Sequence, residues 1–469
     1  MGKGYKLMHE ECGIFGIFSK EDTSIDVAKL TYFALYALQH RGQESAGIAV
    51  SDGEKLLIYK DLGLVSEVFN EEKLKTLQGN CAIGHVRYST TGANIWENSQ
   101  PLLKNYKGGT FSLAHNGNLV NQAELKTKLR ERDIQNNSST DSEIICNLIK
   151  TTPEENIEKN TEIVAAQLKG AFSLVIMTED KLIGLKDPFG FHPLALGKLG
   201  DSYVFASETC AFNLIGAEFI REMEPGEMVV IDKEGVRSTR ILPNNRKALC
   251  VFEFVYFARP DSNICGENVA LSRQKMGRRL AREHSVQADI VVPVPDSGIS
   301  AAIGYAAQSG IPYEEGLIKN RYIGRTFIQP EQLIRDFGVK IKLSPIKEII
   351  KEKRVILIDD SIVRGTTSRK IVKLVREAGA REVHFRISSP PIYFPCFYGI
   401  DTPNREYLQA SNNTLEETKK WIEADSLGYL SIEGLCSVFD KIPADDFCLA
   451  CFNGKYPCPL ISSPLRGED

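Results

Sequence analysis

Val355-Ile356-Leu357-Ile358-Asp359-Asp360-Ser361-Ile362-Val363-Arg364-Gly365-Thr366-Thr367 is an apolar run that stops at two adjacent carboxylates and then turns through glycine and hydroxyls. The run Val355 to Ile358 is strand-sized and reads as a strand buried on both faces. From Thr366 to Ala378 the apolar spacing is helical, and Gly379 closes the helix. The same rhythm continues on either side. Ile290 to Val294 is a second buried strand, followed by a helix over Ser300 to Gln308 that Gly310 closes, and Val383 to Ile387 is a third strand. Strand and helix in alternation predict an α/β fold with a parallel sheet and crossover helices. Leu415 to Ala424 reads as a late helix, while the tail from Cys448 onward is rich in Cys, Pro and Gly and has no period.

The loop after Ile358 suggests chemistry. Backbone N–H groups at the helix start, with the hydroxyls of Thr366 and Thr367, suit a phosphate. Two carboxylates there would repel that phosphate. They make sense if they bind sugar hydroxyls, approach a cationic transition state or help to hold Mg²⁺. An Asp pair at a strand end, taken alone, is an ordinary helix cap, and it is the loop after it that favours the chemical reading. The Gly-x-x-x-x-Gly-Lys pattern of nucleotide triphosphatases is absent, which excludes that type of ATP site.

The first half of the chain has a different rhythm. Cys12–Phe18, Cys81–His85, Thr110–Ala114, Ser173–Met177 and Met228–Asp232 are short and apolar or β-branched. Val27 to His40 has helical spacing, with Ser24 available as its cap. Clustered strands with few helices predict an α+β domain built on antiparallel sheets. Pro243, Asn244 and Asn245 make a turn or linker, so the expected domains are 12–245 and 246–469.

The 469 residues suffice for two or three domains. A net charge of −4, without a basic stretch, excludes a nucleic-acid-binding surface. No run reaches the roughly 18 apolar residues of a membrane helix, and residues 1–11 lack a signal-peptide core. A cytoplasmic enzyme without a nucleic-acid or membrane partner is the expectation. Eleven cysteines, an odd number spread over the chain, fit reduced thiols with catalytic or metal roles better than a disulfide framework.

Cys12 opens Cys12-Gly13-Ile14-Phe15-Gly16-Ile17-Phe18, and the same half carries His85-Val86-Arg87-Tyr88-Ser89-Thr90-Thr91-Gly92 and His115-Asn116-Gly117-Asn118. Amide hydrolysis needs a nucleophile, a base, an oxyanion site and a grip on the substrate. If residues 1–11 were removed as a propeptide, the freed amine of Cys12, with a pKa near 7.7–8.0, would serve as base beside its own thiol. The side-chain amide of Asn116 and the N–H of Gly117 suit an oxyanion, Arg87 a carboxylate and Asp141 an ammonium. Each of these alone is more often a turn or surface residue. Together with Arg41-Gly42-Gln43-Glu44-Ser45-Ala46-Gly47 and Asp141-Ser142-Glu143, the strings resemble the N-terminal-nucleophile (class II) glutamine amidotransferases. The resemblance implies Cys12 as nucleophile, Asn116 and Gly117 as oxyanion hole, and Arg87 and Asp141 holding glutamine.

The string at Asp359 resembles the phosphoribosyl pyrophosphate (PRPP) signature of type I phosphoribosyltransferases. That resemblance implies substrate contacts at Ser361, Arg364, Gly365, Thr366 and Thr367, and Mg²⁺, one per subunit, near Ser297, Asp359 and Asp360. Pro293-Val294-Pro295-Asp296-Ser297-Gly298 resembles the family's pyrophosphate-side loop. Lys319-Asn320-Arg321-Tyr322-Ile323-Gly324-Arg325-Thr326-Phe327 resembles its lid, with Lys319 and Tyr322 toward the substrate.

Cys448-Leu449-Ala450-Cys451 is a Cys-x-x-Cys pair that the sequence does not set between a strand and a helix as in thioredoxins, so zinc and an iron–sulfur cluster both remain open from the residues alone. A glutaminase joined to a PRPP transferase is similar throughout to the amidophosphoribosyltransferase family. Tyr256-Phe257-Ala258-Arg259-Pro260-Asp261-Ser262 and the segment 390–401 extend the likeness. The resemblance implies an α+β class II glutaminase sandwich joined to an α/β type I phosphoribosyltransferase domain, and an enzyme that makes 5-phosphoribosylamine for purine synthesis. It implies a [4Fe-4S] cluster, one per subunit, on Cys250, Cys396, Cys448 and Cys451, with Cys265, Cys436 and Cys458 outside the pattern. It also implies a homotetramer inhibited by purine nucleotides. A non-catalytic PRPP sensor would have no use for the glutaminase strings, and amidotransferases with other acceptors lack the PRPP loop.

Overall fold

The two apolar rhythms fold into two kinds of sheet. The computed structural model describes residues 12–20, 25–88, 94–243, 246–320, 343–400, 402 and 404–459. Residues 1–11, Ser24, the string from Ser89 to Gly92, Tyr322 and the rest of the lid string after Asn320 lie outside them.

In the first half, a seven-stranded sheet runs in the order Glu218–Glu222, Ala195–Leu199, Ser202–Ala206, Gly13–Phe18, Cys81–Arg87, Ser45–Ser51, Leu56–Leu62. A six-stranded sheet runs Gly235–Arg240, Glu227–Asp232, Leu182–Lys186, Gly170–Met177, Gly109–Leu119, Leu102–Tyr106. Every pairing in both is antiparallel. The inner faces meet through Ile14, Phe18, Ile83, Ala114, Val175, Leu182, Phe205 and Val229. Gly16 allows this approach, since a Cβ there would lie 2.8 Å from Val175 Cγ1. Helix Val27–Ala37 covers the outer face of the first sheet, and helices Asp141–Thr151 and Ile157–Ala165 cover that of the second. The result is a four-layer sandwich.

The first helix departs from expectation at both ends. Its N-cap is Asp26, which accepts from Lys29 N at 2.9 Å. It ends at Ala37 rather than His40, because His40 and Arg41 leave the helix to reach the buried Glu208.

The second half contains a four-stranded parallel sheet in the order Ile290–Pro293, Arg354–Asp359, Glu382–Ile387, Ser426–Tyr429. Alternate residues of the central strand face opposite cores. Ile356 and Ile358 pack with helices Val269–Glu283 and Ile299–Ser309, and Val355 and Leu357 with helix Thr366–Glu377. Helix Val269–Glu283 was not foreseen: among its apolar residues it carries Ser272, Arg273 and Gly277 on the buried face, which blurs the period. The Cys-x-x-Cys pair also departs from expectation. Cys448 ends a two-residue strand, Phe447–Cys448, paired in parallel with Leu249–Cys250, and a short helix opens at Ala450. Local sequence hid this strand because its partner lies about 200 residues away.

Candidate active sites

Cys12 lies at the head of the strand Gly13–Phe18 and is buried. Its thiol donates to the carbonyl of Tyr88 at 3.5 Å. Burial pushes the thiol pKa up to about 11; Arg87 works against this, while Asp141 and Glu44 add to it. The thiol is therefore neutral near pH 7 and needs a base. The backbone beside it is pinned at two points. Ser207 Oγ accepts from Ile14 N at 3.0 Å, and Arg41 Nε donates to the Cys12 carbonyl at 3.1 Å.

Asn116 and Gly117 lie on the strand Gly109–Leu119. Asn116 is 1% exposed, and its Nδ2 has no hydrogen-bond partner among the described residues. An orphaned buried donor costs free energy and invites a ligand. Gly117 has φ +142°, and a Cβ there would lie 2.2 Å from the carbonyl oxygen of Ala171, so only glycine fits. Arg87 is 2% exposed, with a terminal nitrogen 3.8 Å from Glu44. Asp141 begins the helix Asp141–Thr151, and its Oδ2 accepts from Leu119 N at 2.9 Å. That bond ties the carboxylate to the end of the strand that carries Asn116 and Gly117. Each histidine of these strings is held through one ring nitrogen. His85 Nε2 bonds the His115 carbonyl at 3.1 Å, His115 Nδ1 lies 3.1 Å from Ser142 Oγ, and burial lowers both pKa values. Arg87 and Asp141 act on the charge of the Cys12 thiol, and Asp141 is bonded to the strand that carries the Asn116 amide: a thiol, a cation, an anion and an amide donor, the set that amide hydrolysis requires.

The second constellation lies where the parallel strands end, the ordinary ligand edge of such sheets. Asp359 ends its strand and Asp360 follows, with Asp360 N donating to Asp359 Oδ1 at 2.9 Å. Burial, then the neighbouring Asp360, raises the pKa of Asp359 well above its ordinary value. Such a pair is suited to a bound cation. Ser361 Oγ donates to Asp360 Oδ2 at 2.5 Å. Gly365, at φ +69°, turns the chain into helix Thr366–Glu377, whose first N–H groups have no side-chain cap. The loop 293–298 lies against the same edge. Val294 N donates to the Ile358 carbonyl at 2.8 Å, and a Cβ on Gly298 would lie 2.2 Å from that oxygen. Ser297 is carried by this loop, and the neighbouring Asp296 pairs with Lys319 at 2.5 Å. Arg364 lies over the ring of Tyr407, 5.8 Å from its centroid.

A third feature joins the halves. Cys250, Cys396, Cys448 and Cys451 line one cavity with Phe191, His192, Tyr398 and Tyr456. Of seven cysteines in the second half, these are the four that meet. Cys265 is exposed, and Cys436 and Cys458 do not line it. Burial raises the thiol pKa of Cys448 to about 12 and that of Cys451 well above its ordinary value. Among the described residues no three His, Cys, Asp or Glu converge closely enough for a single metal ion. The cavity wall also touches the first site. Asn118 Nδ2 donates to the Phe397 carbonyl at 2.9 Å, His192 Nε2 to that of Tyr398 at 2.8 Å, and a Cβ on Gly399 would lie 3.5 Å from Gly117 Cα.

Sequence reasoning missed Glu208, Glu253 and His192. Arg41 and Gly399 were noticed only as parts of strings. The partners of these residues lie tens to hundreds of positions away, so no local signal marked them.

Residues 85–213 match the glutamine amidotransferase domain family and residues 272–388 the phosphoribosyl transferase domain family. The chain is 51% identical over 464 residues to the amidophosphoribosyltransferase of Bacillus subtilis, covering 98% of this chain and 97% of the relative. It is 52% identical over 467 residues to that of Synechocystis, covering 98% and 93%. A structure titled glutamine PRPP amidotransferase from B. subtilis complexed with ADP and GMP superposes with TM-score 0.90 at 50% identity, covering 96% of this chain and 98% of that one. A second, titled as the allosteric regulatory enzyme of purine biosynthesis, gives TM-score 0.91 at 50% identity, covering 96% and 97%.

Proposed function

From the premise that this chain belongs to the amidophosphoribosyltransferase family, we propose which residues carry the reaction. The enzyme hydrolyses glutamine and transfers the ammonia to PRPP, giving 5-phosphoribosylamine, pyrophosphate and glutamate, the first committed step of purine synthesis.

Residues 1–11 are a propeptide, residues 12–245 form the glutaminase and residues 246–469 the transferase. With Cys12 as the first residue, its amine accepts the thiol proton and the sulfur attacks the glutamine amide carbon. Arg87 holds the glutamine carboxylate and Asp141 its ammonium. Asn116 Nδ2 and Gly117 N–H donate to the oxyanion as the tetrahedral intermediate forms. Collapse of that intermediate releases ammonia and leaves a glutamyl thioester, which water cleaves. The observation that carries this reading is the buried amide of Asn116, unpartnered among the described residues, a donor in place before any charge develops.

In the transferase, the Gly365 turn and the N–H groups, Thr366 and Thr367 hold the 5-phosphate, with Ser361 and Arg364 beside it. Lys319 and Tyr322 serve the pyrophosphate side. Asp359 and Asp360, with Ser297 near, are suited to Mg²⁺ and the ribose hydroxyls, and the ion supplies charge neutralisation for the leaving pyrophosphate. The raised pKa of Asp359 fits this donor set.

The four cysteines that line this cavity would hold a [4Fe-4S] cluster through their thiolates. The cluster's role is structural. By analogy with the ADP- and GMP-bound relative, purine nucleotides inhibit the enzyme. It works as a cytoplasmic homotetramer. No helix among the described residues is long and apolar enough to cross a membrane.

The test is glutamate release by anaerobically purified protein with Mg²⁺, with and without PRPP, beside phosphoribosylamine formation from ammonia. Cys12→Ala should abolish the glutamine-dependent reaction and spare the ammonia-dependent one. Retained glutamine use by that variant sinks the nucleophile assignment.

A further inference from the structure

Arg41 has a side-chain exposure of 0% and leaves the first helix to reach across the domain junction. It makes three kinds of contact at once. Nε donates to the Cys12 carbonyl at 3.1 Å. NH1 donates to Glu208 at 2.6 Å and to Glu253 at 2.9 Å, and NH2 donates to Glu253 at 2.8 Å. Glu208 is itself anchored by His40 at 2.7 Å, Arg259 N at 2.9 Å and Ser262 Oγ at 2.7 Å. Glu253 is also fully buried and opens the single-turn π-helix Glu253–Phe257, on the transferase side of the proposed boundary between residues 245 and 246. That turn is held in place by Arg273, which donates to the carbonyls of Phe254 at 2.6 Å and Ala258 at 2.9 Å.

A chain end frays unless something ties it down. If Cys12 is the first residue of the working enzyme, its carbonyl is the last backbone group before the amine that acts as base. Arg41 is the side chain that holds this carbonyl. A guanidinium has a rigid planar fork, so its orientation is set by the bidentate carboxylate opposite. That carboxylate belongs to Glu253, in the other half of the molecule.

We propose that Glu253 is a positioning residue for glutamine hydrolysis: from the transferase half it orients Arg41, and through Arg41 it fixes the backbone of Cys12 so that the thiol and the terminal amine face the substrate. This rests on the reading of Cys12 as the processed N-terminal nucleophile. Glu253 touches no reacting atom, so glutamine binding is unaffected and the loss falls on turnover.

The experiment compares wild-type, Glu253→Gln and Arg41→Lys holoenzymes for glutamine-dependent and ammonia-dependent product formation, and for alkylation of Cys12 by a glutamine-analogue electrophile. Mass spectrometry confirms Cys12 as the N-terminus in each. Lysine keeps the buried charge but cannot grip both Glu253 and the Cys12 carbonyl. Both variants should lose on the order of tenfold to a hundredfold in kcat with glutamine, with KM for glutamine and ammonia-dependent kcat within about twofold of wild type and Cys12 alkylation slowed in step. Unchanged glutamine kcat overturns the proposal. So does a parallel fall of both activities, which is what a merely structural ion pair gives. If Glu253→Gln does not fold, Arg41→Lys decides alone by the same criteria. Wild-type protein with a confirmed Cys12 terminus that releases no glutamate sinks the nucleophile reading itself, a result distinct from any variant's.

Discussion

Asn116→Ala separates catalysis from stability by the signs of two effects. The Nδ2 of Asn116 is buried and unpartnered among the described residues. Deleting an unsatisfied buried donor recovers roughly 1–3 kcal/mol of desolvation. The truncation leaves a void of roughly 40 Å³, which at about 25 cal/mol per Å³ costs about 1 kcal/mol. The net change in stability lies between about zero and a gain of 2 kcal/mol, so Tm should hold or rise by up to about 4 °C. The amide is worth far more to the reaction. One oxyanion donor in a preorganised site contributes about 10²–10³ in kcat, equivalent to about 3–4 kcal/mol. Steady-state glutamate release and ammonia-dependent product formation, run beside a thermal melt, give all three numbers. The expected set is a glutamine kcat lower by two to three orders of magnitude, an unchanged ammonia reaction and an undiminished Tm. Glutamine kcat within about threefold of wild type refutes the oxyanion assignment. A Tm loss of more than about 5 °C refutes the claim that the amide is an unsatisfied group kept for function.

Gly399→Ala places a Cβ at a φ of +134°, 3.1 Å from His192 Nε2 and 3.5 Å from Gly117 Cα; it should depress glutamine-dependent turnover more than ammonia-dependent turnover in the two-substrate assay, and equal losses would deny that segment 396–400 supports the oxyanion strand. Cys451→Ser should lose cluster iron in anaerobic metal analysis while Cys458→Ser keeps it, and equal iron in both variants would remove the four-cysteine assignment. Burial opposes ionisation of Glu208, but His40 and Arg41 together hold its pKa down to about 2. A depressed carboxyl contributes stability that is full above its unfolded pKa of roughly 4.3 and is lost as pH falls through about 2, on the order of 3 kcal/mol in all. The Tm gap between wild type and Glu208→Gln should therefore narrow as pH drops from 6 to 3, and a constant gap would rule out that linkage.

The strands and helices were legible because their signals are local. The alternation at 290–387 and the short β-branched runs of the first half needed only the period of the chain, and a strand running into a glycine turn and a helix keeps that geometry wherever it folds. Helix ends were less secure, since the tertiary pull of Glu208 on His40 and Arg41 stopped the first helix at Ala37. The identities of Cys12, Asn116 and Asp359 were likewise carried by contiguous strings. What the sequence determined about this protein was which residue types stand ready at which turns. Only the tertiary structure decided which of them meet. Spacing could not choose among the seven later cysteines, because the choice is made by a two-residue parallel pairing of Cys250 with Cys448 and by the 396–400 segment crossing to the other domain. Nor could it join Arg41 to Glu253, separated by 212 positions. Burial selects such contacts: a guanidinium and two carboxylates removed from water must find one another, and where they do so is fixed by the packing of both halves rather than by any neighbour in the chain.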